Sequence, residues 1–289
     1  MAWVIPALDF LGTPLLAMLL AMWGWLEAVR PLRRRTQARS RRWPTNAAMA
    51  VTATVMMRAI LIPVALTVAV GVTAAGAGLM GWLGVPGLAA GALGFGLLDY
   101  TTYVWHRLNH RVALLWRFHR VHHTDLDLDV TTAFRFHFGE LALSVAYRAA
   151  QVAVIGPAPV VLLAYEIAMN AATEFHHSNA RLPLRWERVV NLVLVTPRMH
   201  GIHHSMVERE TNANWSVIFS WWDRLHRTLR LDVPQNAVTI GLPAFRAPEE
   251  LTFWTLMRMP FGRQRPTWQL PDGRSPDRAV VADPHRLVE

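Results

Sequence analysis

HRLNHRVALLWRFHRVHH, residues 106–123, holds five histidines at helical spacing, and HGIHH, residues 200–204, repeats its final HxxHH motif. Side chains three or four residues apart share one face of an α-helix, so each motif directs two or three imidazoles towards one point. Imidazole is a common protein ligand for iron, zinc, copper and nickel. The motifs therefore predict a polyhistidine metal site, built from His106, His110, His119, His122, His123, His200, His203 and His204.

The composition around these motifs is that of a membrane protein. The chain has 289 residues, of which 53% are hydrophobic and 17% are charged, and its mean hydropathy is +0.21. This balance is too apolar for a soluble globule and predicts an integral membrane, all-α helical bundle. Cysteine is absent, which excludes disulfides, iron–sulfur clusters and thiolate-bound zinc and leaves nitrogen and oxygen as metal ligands.

The positions of the arginines predict the orientation in the membrane. Residues 10–26 are apolar and uncharged, which is typical of a spanning helix, and seven arginines follow between residues 30 and 42. By the positive-inside rule this loop is cytoplasmic and the N-terminus lies outside. The basic residues thus serve as membrane flanks, and the net charge of +9 does not require nucleic acid as a partner. Two further apolar stretches, 47–83 and 88–105, would bring His106 to the cytoplasmic side.

A fourth apolar stretch, residues 141–175, is broken by GPAP at 156–159. A single crossing would separate the later histidines from the earlier ones, whereas a hairpin, spanning or re-entrant, keeps them on one side. The sequence therefore predicts about four spanning or hairpin helices below a cytosolic helical cap that carries the histidines. The regions are membrane-anchoring helices (1–94), a histidine-box domain that includes the hairpin (95–228), and a cytoplasmic C-terminal tail (229–289) that is loosely ordered from about Arg246.

The number of histidines favours two metals over one. A zinc site takes about four ligands, and the i, i+3, i+4 spacing allows one HxxHH motif to serve two adjacent metals. Neutral imidazoles do not offset the charge of two divalent ions, so nearby carboxylates are expected to hold the outer imidazole nitrogens, with Asp99 holding His106. The candidates are Asp99, Glu140, Glu174 and Asp223, and each is equally interpretable as a helix cap or surface ion pair.

Five histidines lie outside the three boxes. His137 in RFHFGE, and His176 and His177 in EFHHSN, flank the predicted hairpin and are further candidate ligands. His226 and His285 stand alone and are interpreted as structural or exposed residues.

The ordered motifs HRLNH, HRVHH, RFHFGE, FHHSN, TPRMHGIHH and WWDRLHRT resemble those of the fatty acid hydroxylase and sterol desaturase superfamily, over about residues 95–228. The members of this superfamily are integral membrane oxygenases. The resemblance implies a non-haem diiron centre on the cytosolic side of a small helical membrane bundle, with O2 as the oxidant. Matched motif by motif, the implied ligands are His106, His110, His119, His122, His123, His177, His200, His203 and His204.

The chain departs from the family pattern at three places. Its FxHxN element favours His177 over His176, but Thr173 stands where some members have a further histidine, so water or His176 would complete one metal shell. Phe138 follows His137 where proline is common, which leaves the role of His137 open. The last motif carries a histidine, at position 226, where an aromatic residue is usual.

The resemblance implies O2-dependent hydroxylation of a C–H bond in a membrane lipid of the fatty acyl, sterol-like or a related class. Lipid desaturation, alkyl ether oxidation and carotenoid hydroxylation use similar histidine sites and remain alternatives, and a metal transporter or buffer is the non-enzymatic alternative. The sequence contains no flavin, haem or iron–sulfur motif, so the electrons would come from a separate reductase or small electron-transfer protein. The basic segment from Arg33 to Arg42 is a candidate docking face for an acidic donor, or a site that holds anionic lipid. The sequence predicts no oligomeric state.

Overall fold

The computed structural model describes residues 4–278, with side chains from residue 10 onward. This part of the chain is helical and contains isolated β-bridges but no strand. Short 3-10 turns lie at Val130–Phe134, Pro248–Leu251 and Met259–Phe261. The thirteen α-helices are α1 (Val4–Val29), α2 (Arg39–Met56), α3 (Ile62–Ala74), α4 (Gly78–Leu83), α5 (Gly87–Arg111), α6 (Ala113–His123), α7 (Phe138–Ile155), α8 (Pro159–His177), α9 (Leu184–Asn191), α10 (Pro197–His203), α11 (Glu208–Thr211), α12 (Trp221–Leu225) and α13 (Phe253–Arg258).

Three helical stretches are long and apolar enough to cross a membrane: Phe10–Val29, Arg39–Leu83 and Phe138–Ile155. The second begins at Arg39, before the predicted start at residue 47, and contains a π-helical turn, Met57–Leu61, between α2 and α3. The stretch 88–105, which we expected to span, lies in α5 and is not among the three. The all-α membrane bundle is therefore confirmed, with fewer candidate spans than the sequence predicted.

The predicted hairpin turn lies at the GPAP sequence. Helix α7 ends at Ile155 because Gly156 adopts a left-handed conformation with φ of 70°, and α8 begins at Pro159, whose fixed φ suits the first turn of a helix. The turn also packs tightly: a Cβ atom on Gly78 would lie 2.8 Å from the Cα atom of Gly156. The hairpin returns the C-terminal end of α8, with His177, to the end of the bundle where α7 starts.

Helix α5 lies in the interior of the bundle, packed against α7 and α8, while α1 packs on α8 and α3 packs on α7. Burial of apolar side chains between these helices provides the main favourable contribution to packing within the bundle. The central cluster consists of Ala65, Ala69, Met80, Leu98, Val152, Ile155, Leu162, Tyr165 and Ile218.

Two arginines of the basic loop, Arg33 and Arg42, are buried. The prediction that the segment from Arg33 to Arg42 forms a docking face is therefore wrong for these two residues. Arg33 donates to the carbonyl oxygen of Pro197 and to the side chain of Gln235. Arg42 forms ion pairs of 2.7 Å with both Asp125 and Asp129. Burial raises the pKa of Asp125, but Arg42 and Arg135 lower it further, so the carboxyl stays ionised with a pKa below its ordinary value. These ion pairs tie α2 to the segment that follows α6.

The region after residue 228 packs on the rest of the protein as far as Trp268, which corrects the predicted loose order between Arg246 and Trp268. Leu231, Val233 and Leu242 are buried, and the 3-10 turn Met259–Phe261 packs on α6. Trp268 stacks on Trp116 of α6, with ring centroids 5.6 Å apart. This region therefore covers the helix that carries HRVHH. His285 lies outside the described residues.

Candidate metal centre

Five of the predicted histidines converge on one point, and we call them the five-histidine group. His106 and His110 lie one turn apart at the end of α5, His119 and His123 lie one turn apart on α6, and His203 ends α10. One ring nitrogen from each lies within 4.8 Å of the others. The group therefore has the composition and spacing of a nitrogen-ligated metal site.

Four more predicted histidines form a second set, the four-histidine group: His122, His177, His200 and His204. The Nε2 atom of His177 lies 3.0 Å from those of His122 and His200, and the Nε2 atoms of His200 and His204 are 3.1 Å apart. All four residues are buried.

The two HxxHH motifs each contribute to both groups. In HRVHH, His119 and His123 are four residues apart and belong to the five-histidine group, whereas His122 belongs to the other. In HGIHH, His200 and His204 belong to the four-histidine group and His203 to the five-histidine group. The helical spacing produces this division. In both motifs the histidines at i and i+4 share a face, and the histidine at i+3 is rotated away from it.

Hydrogen bonds fix four of the rings with their Nε2 atoms facing the groups. The Nδ1 atoms of His106, His203 and His177 each lie 2.8 Å from a backbone carbonyl oxygen, and Nδ1 of His119 lies 2.8 Å from a carboxylate oxygen of Glu140. These oxygens only accept hydrogen bonds, so each Nδ1 carries the proton and each Nε2 presents a lone pair. The three carbonyl acceptors belong to Trp215, Ala213 and Thr173, in that order.

Burial favours the neutral form of eight of the nine grouped histidines by lowering their pKa values. It lowers the pKa of His106 and of His177 to about 3, and the pKa values of the other buried group members with a resolved shift fall well below 6.5. A neutral imidazole is the form that binds a metal. Below a pH of about 6.5 these histidines take up protons in the unfolded chain but not in the folded one. The free energy of unfolding is therefore expected to fall as the pH falls below about 6.5.

The donor atoms fit transition-metal ions. Adjacent ligands at right angles, each about 2.1 Å from a metal, lie about 3.0 Å apart, close to the Nε2 separations in the four-histidine group. In the five-histidine group, Nε2 of His203 and both ring nitrogens of His110 are buried without a hydrogen-bond partner among the described residues. Such orphaned nitrogens are costly unless a cation occupies the group.

His137 and His176 lie outside both groups. Nδ1 of His137 accepts from the backbone N–H of Gly139 and caps α7, while Nε2 donates to the carbonyl oxygen of Met257. Its suggested role as a ligand is wrong, because both of its ring nitrogens have other partners. The ring of His176 packs 4.1 Å from that of His200 but does not join the four-histidine group.

The four candidate carboxylates have different environments. Glu140 holds His119, as expected. Asp99 does not hold His106, because its oxygens accept from the indole N–H of Trp222 and from two backbone N–H groups. Asp223 also contacts no histidine; its oxygens accept from the backbone N–H groups of Trp215 and Ser216 and position the carbonyl that His106 uses. Glu174 is buried, and its Oε2 atom has no hydrogen-bond partner within residues 10–278.

No motif in the sequence predicted the three backbone acceptors. Two of them, Ala213 and Trp215, lie in the loop 213–216, where Asn214 adopts a positive φ of 57° and its side-chain amide donates to the carbonyl oxygens of Met199 and Arg230. Asparagine tolerates this conformation better than most residues. An asparagine at position 214 is thus compatible with this loop conformation, but its presence in the sequence does not predict the loop. The third, Thr173, lies one turn before His177 on α8.

A cavity of about 770 Å³ opens beside the histidines. It is lined by side chains of α1, α2, α3, α7 and α8, and reaches His106, His119, His122, His177 and His200. Most of the exposed lining is apolar, but Arg148 and Glu166 also face it, with Nε of Arg148 3.2 Å from the carboxylate. The size is typical of a site for a small organic ligand.

Glu140→Ala is expected to weaken iron binding by about 10–100-fold, because the proton on Nδ1 of His119 loses its acceptor and the ring loses its fixed orientation. Glu140→Gln keeps an acceptor oxygen and should have a smaller effect. Competition with a chelator of known affinity measures the change. The exposed Glu249→Ala is the matched control, and equal affinities for the Glu140→Ala and Glu249→Ala variants would contradict the role of Glu140.

Comparison with known proteins identifies the same region of the chain. The sequence profile of the fatty acid hydroxylase family matches residues 91–228. The ornithine lipid hydroxylase OlsE of Rhizobium tropici is 31% identical over 180 residues, covering 60% of this chain and 50% of that protein. Cholesterol 25-hydroxylase of Mus musculus is 28% identical over 149 residues, covering 50% of this chain and 48% of that protein.

Alkylglycerol monooxygenase of Xenopus tropicalis is 29% identical over 135 residues, covering 45% of this chain and 28% of that protein. The matched region thus spans half or less of the length of these relatives. No solved structure matches the chain significantly. The profile match covers all nine grouped histidines, and together with these relatives it supports the assignment of residues 91–228 to the fatty acid hydroxylase and sterol desaturase superfamily.

Proposed function

We propose that the protein is a membrane-bound non-haem diiron oxygenase that hydroxylates a C–H bond of a lipid, with O2 and external electrons. The observation that carries the proposal is the pair of adjacent, buried histidine groups that border a cavity within an apolar helical bundle. Nine imidazoles would supply four or five nitrogens to each of two metals, which is more than a catalytic zinc site uses. Iron suits imidazole ligands and supports O2 chemistry.

The protein side chains perform binding and positioning. Iron, when bound, supplies the reduction of O2 and the oxidation of the C–H bond, which no amino-acid side chain can perform. The histidine groups fix the positions of the metals, and Glu140 with the three backbone carbonyls fixes the rings. The cavity wall holds the lipid chain beside His106 and His122 and excludes water from the reacting carbon.

The names of the relatives support hydroxylation of a lipid. The three described above are named as hydroxylases or monooxygenases, and the named substrates include ornithine lipid and cholesterol. The proposed substrate is therefore a membrane lipid. We also propose, from the arginine loop, that the histidines lie on the cytoplasmic side and that the N-terminus lies outside. A transporter would place ligands along a membrane path, whereas these histidines lie together at helix ends.

The test is oxidation of a lipid extract by the iron-loaded protein in lipid nanodiscs, with ¹⁸O2 and a reductant. A product that carries one ¹⁸O atom is the expected result, and the second ¹⁸O atom leaves as water. A product with a new double bond and no label would establish desaturation instead. Equal oxidation by the iron-free protein, or a hydroxyl group derived from water, would overturn the proposal.

A further inference from the structure

Two stacked indole rings connect the protein surface to the five-histidine group. The ring of Trp116 lies 4.9 Å from that of His110, 5.6 Å from that of His123 and 6.2 Å from that of His119, measured between centroids. Trp116 therefore contacts three members of one metal group. It is half-buried and does not line the cavity described above.

The outer ring of the stack is Trp268. Its centroid lies 5.6 Å from that of Trp116, with an angle of 20° between the planes, and it is half-buried. The indole N–H of Trp116 donates to the hydroxyl of Thr267, which fixes the position of the segment that carries Trp268. A continuous aromatic contact thus runs from the surface through Trp268 and Trp116 to His110.

Two exposed arginines lie over a further indole, Trp215, which also neighbours His110. Arg107 and Arg111 are one turn apart at the end of α5, with guanidinium carbons 5.5 and 5.4 Å from the ring of Trp215. Trp215 in turn lies 6.3 Å from His110. Neither arginine has an ion-pair partner within residues 10–278, in contrast to Arg265, which pairs with Glu250. Two unpaired cations at this position favour an acidic partner.

We propose that Arg107, Arg111 and Trp268 form the docking face for an acidic one-electron carrier protein, and that Trp268 and Trp116 conduct its electrons to the metal at the five-histidine group. This inference rests on the proposed function. Hydroxylation places one atom of O2 in the product and releases the other as water, which consumes two electrons and two protons beyond those of the C–H bond. Two carrier molecules, each oxidised by one electron, supply the electrons in succession, and solvent supplies the protons.

The geometry favours this face over the loop from Arg33 to Arg42. The rate of electron tunnelling falls steeply with distance, and packed rings provide a shorter through-space gap than solvent or aliphatic side chains do. Arg33 and Arg42 are buried in hydrogen bonds and ion pairs. The exposed members of that loop, Arg34 and Arg41, therefore provide a control with the same charge change at a different site.

The first test measures binding of a negatively charged [2Fe–2S] ferredoxin to the iron-loaded protein in nanodiscs of neutral phospholipid. The double variant Arg107→Glu with Arg111→Glu should weaken binding by at least about tenfold at low ionic strength, and salt should reduce the difference. The double variant Arg34→Glu with Arg41→Glu should bind within about twofold of the parent. Equal weakening in both double variants, or none at Arg107 and Arg111, would refute the docking face.

The same variants distinguish a carrier protein from anionic lipid. Sedimentation with vesicles that contain phosphatidylserine measures the lipid contribution. If the change at Arg107 and Arg111 abolishes vesicle binding but leaves ferredoxin binding intact, the face binds lipid headgroups and the proposal is wrong.

The second test measures electron transfer. With the bound iron in its ferric form, at saturating reduced ferredoxin and without O2, Trp268→Leu should slow the transfer of electrons from the ferredoxin to this iron by at least about tenfold, with the iron content unchanged. Trp254→Leu removes another exposed indole, 69% accessible, and should leave the rate unaltered. An unchanged rate for the Trp268→Leu variant would contradict conduction through the stack.

The outcomes separate this inference from the proposed function. If the protein binds no iron, or forms no lipid product even with dithionite as reductant, the proposed function fails and the inference falls with it. If the protein oxidises lipid with dithionite while the docking-face variants bind and accept electrons as the controls do, only the inference fails.

Discussion

His203→Ala and His200→Ala are each expected to abolish lipid oxidation and to reduce the iron content from two per chain to about one or fewer. His203 belongs to the five-histidine group and His200 to the four-histidine group, so each change would remove a ligand from a different one of the two proposed metals. Both sites are buried, and the alanine variants leave a void that protein ligands do not fill. Metal analysis by mass spectrometry and the ¹⁸O2 assay measure the two effects on the same samples.

His226→Phe is the matched control for these changes. The His226 ring stacks against Tyr100 and Tyr103, at 5.7 and 5.1 Å, and does not belong to either histidine group. Phenylalanine keeps this stacking, so two irons and the parental rate of oxidation are expected. Full oxidation by the His203→Ala or His200→Ala variant would show that the corresponding group is not part of the reaction centre.

Arg42→Ala is expected to lower the free energy of unfolding by about 3–5 kcal/mol, because it leaves two carboxylates buried without their counter-ion. The guanidinium donates to Asp125 through two nitrogens, at 2.7 and 2.8 Å, and to Asp129 through the third at 2.7 Å. Asp125 is 2% exposed and Asp129 is 1% exposed. Denaturant unfolding in detergent, followed by tryptophan fluorescence, provides the measurement.

Arg34→Ala is the control for the Arg42 prediction. Arg34 lies in the same loop but is exposed, so its replacement should change the unfolding free energy by less than about 0.5 kcal/mol. Similar losses for the two variants would mean that the net charge of the loop, rather than the buried ion pairs, stabilises the fold.

Spacing alone predicted much of the candidate site. The i, i+3, i+4 pattern led to the hypothesis of two metals served by shared HxxHH motifs, and the structure gathers the nine histidines inferred from the motifs and the family resemblance into two groups. The hairpin turn was also predictable, because glycine and proline have strong local preferences that survive in most tertiary contexts. These features depend on residues close in sequence, where the chain geometry is nearly fixed.

Partners that are distant in sequence were not predictable in the same way. Asp99 lies seven residues before His106, on the same face of α5. Its carboxylate is nevertheless occupied by N–H donors from the segment 218–222. Arg33 and Arg42 have the pattern of a cytoplasmic flank, but the buried acidic run after HRVHH, with Asp125 and Asp129, pairs with Arg42. Positive charge alone does not distinguish a membrane flank from a buried ion-pair partner, since both uses require only an arginine.

Three of the four imidazoles with a fixed outer nitrogen, His106, His177 and His203, are held by main-chain oxygens. A single substitution changes a side chain but leaves a carbonyl in place, so a saturation mutagenesis screen would register Glu140 and overlook the other three contacts. Residues such as Ala213 would then tolerate substitution in the screen, although their carbonyl oxygens hold the histidine rings in place. Backbone amide-to-ester exchange, which alters the main chain itself, would expose this hidden part of the site's support.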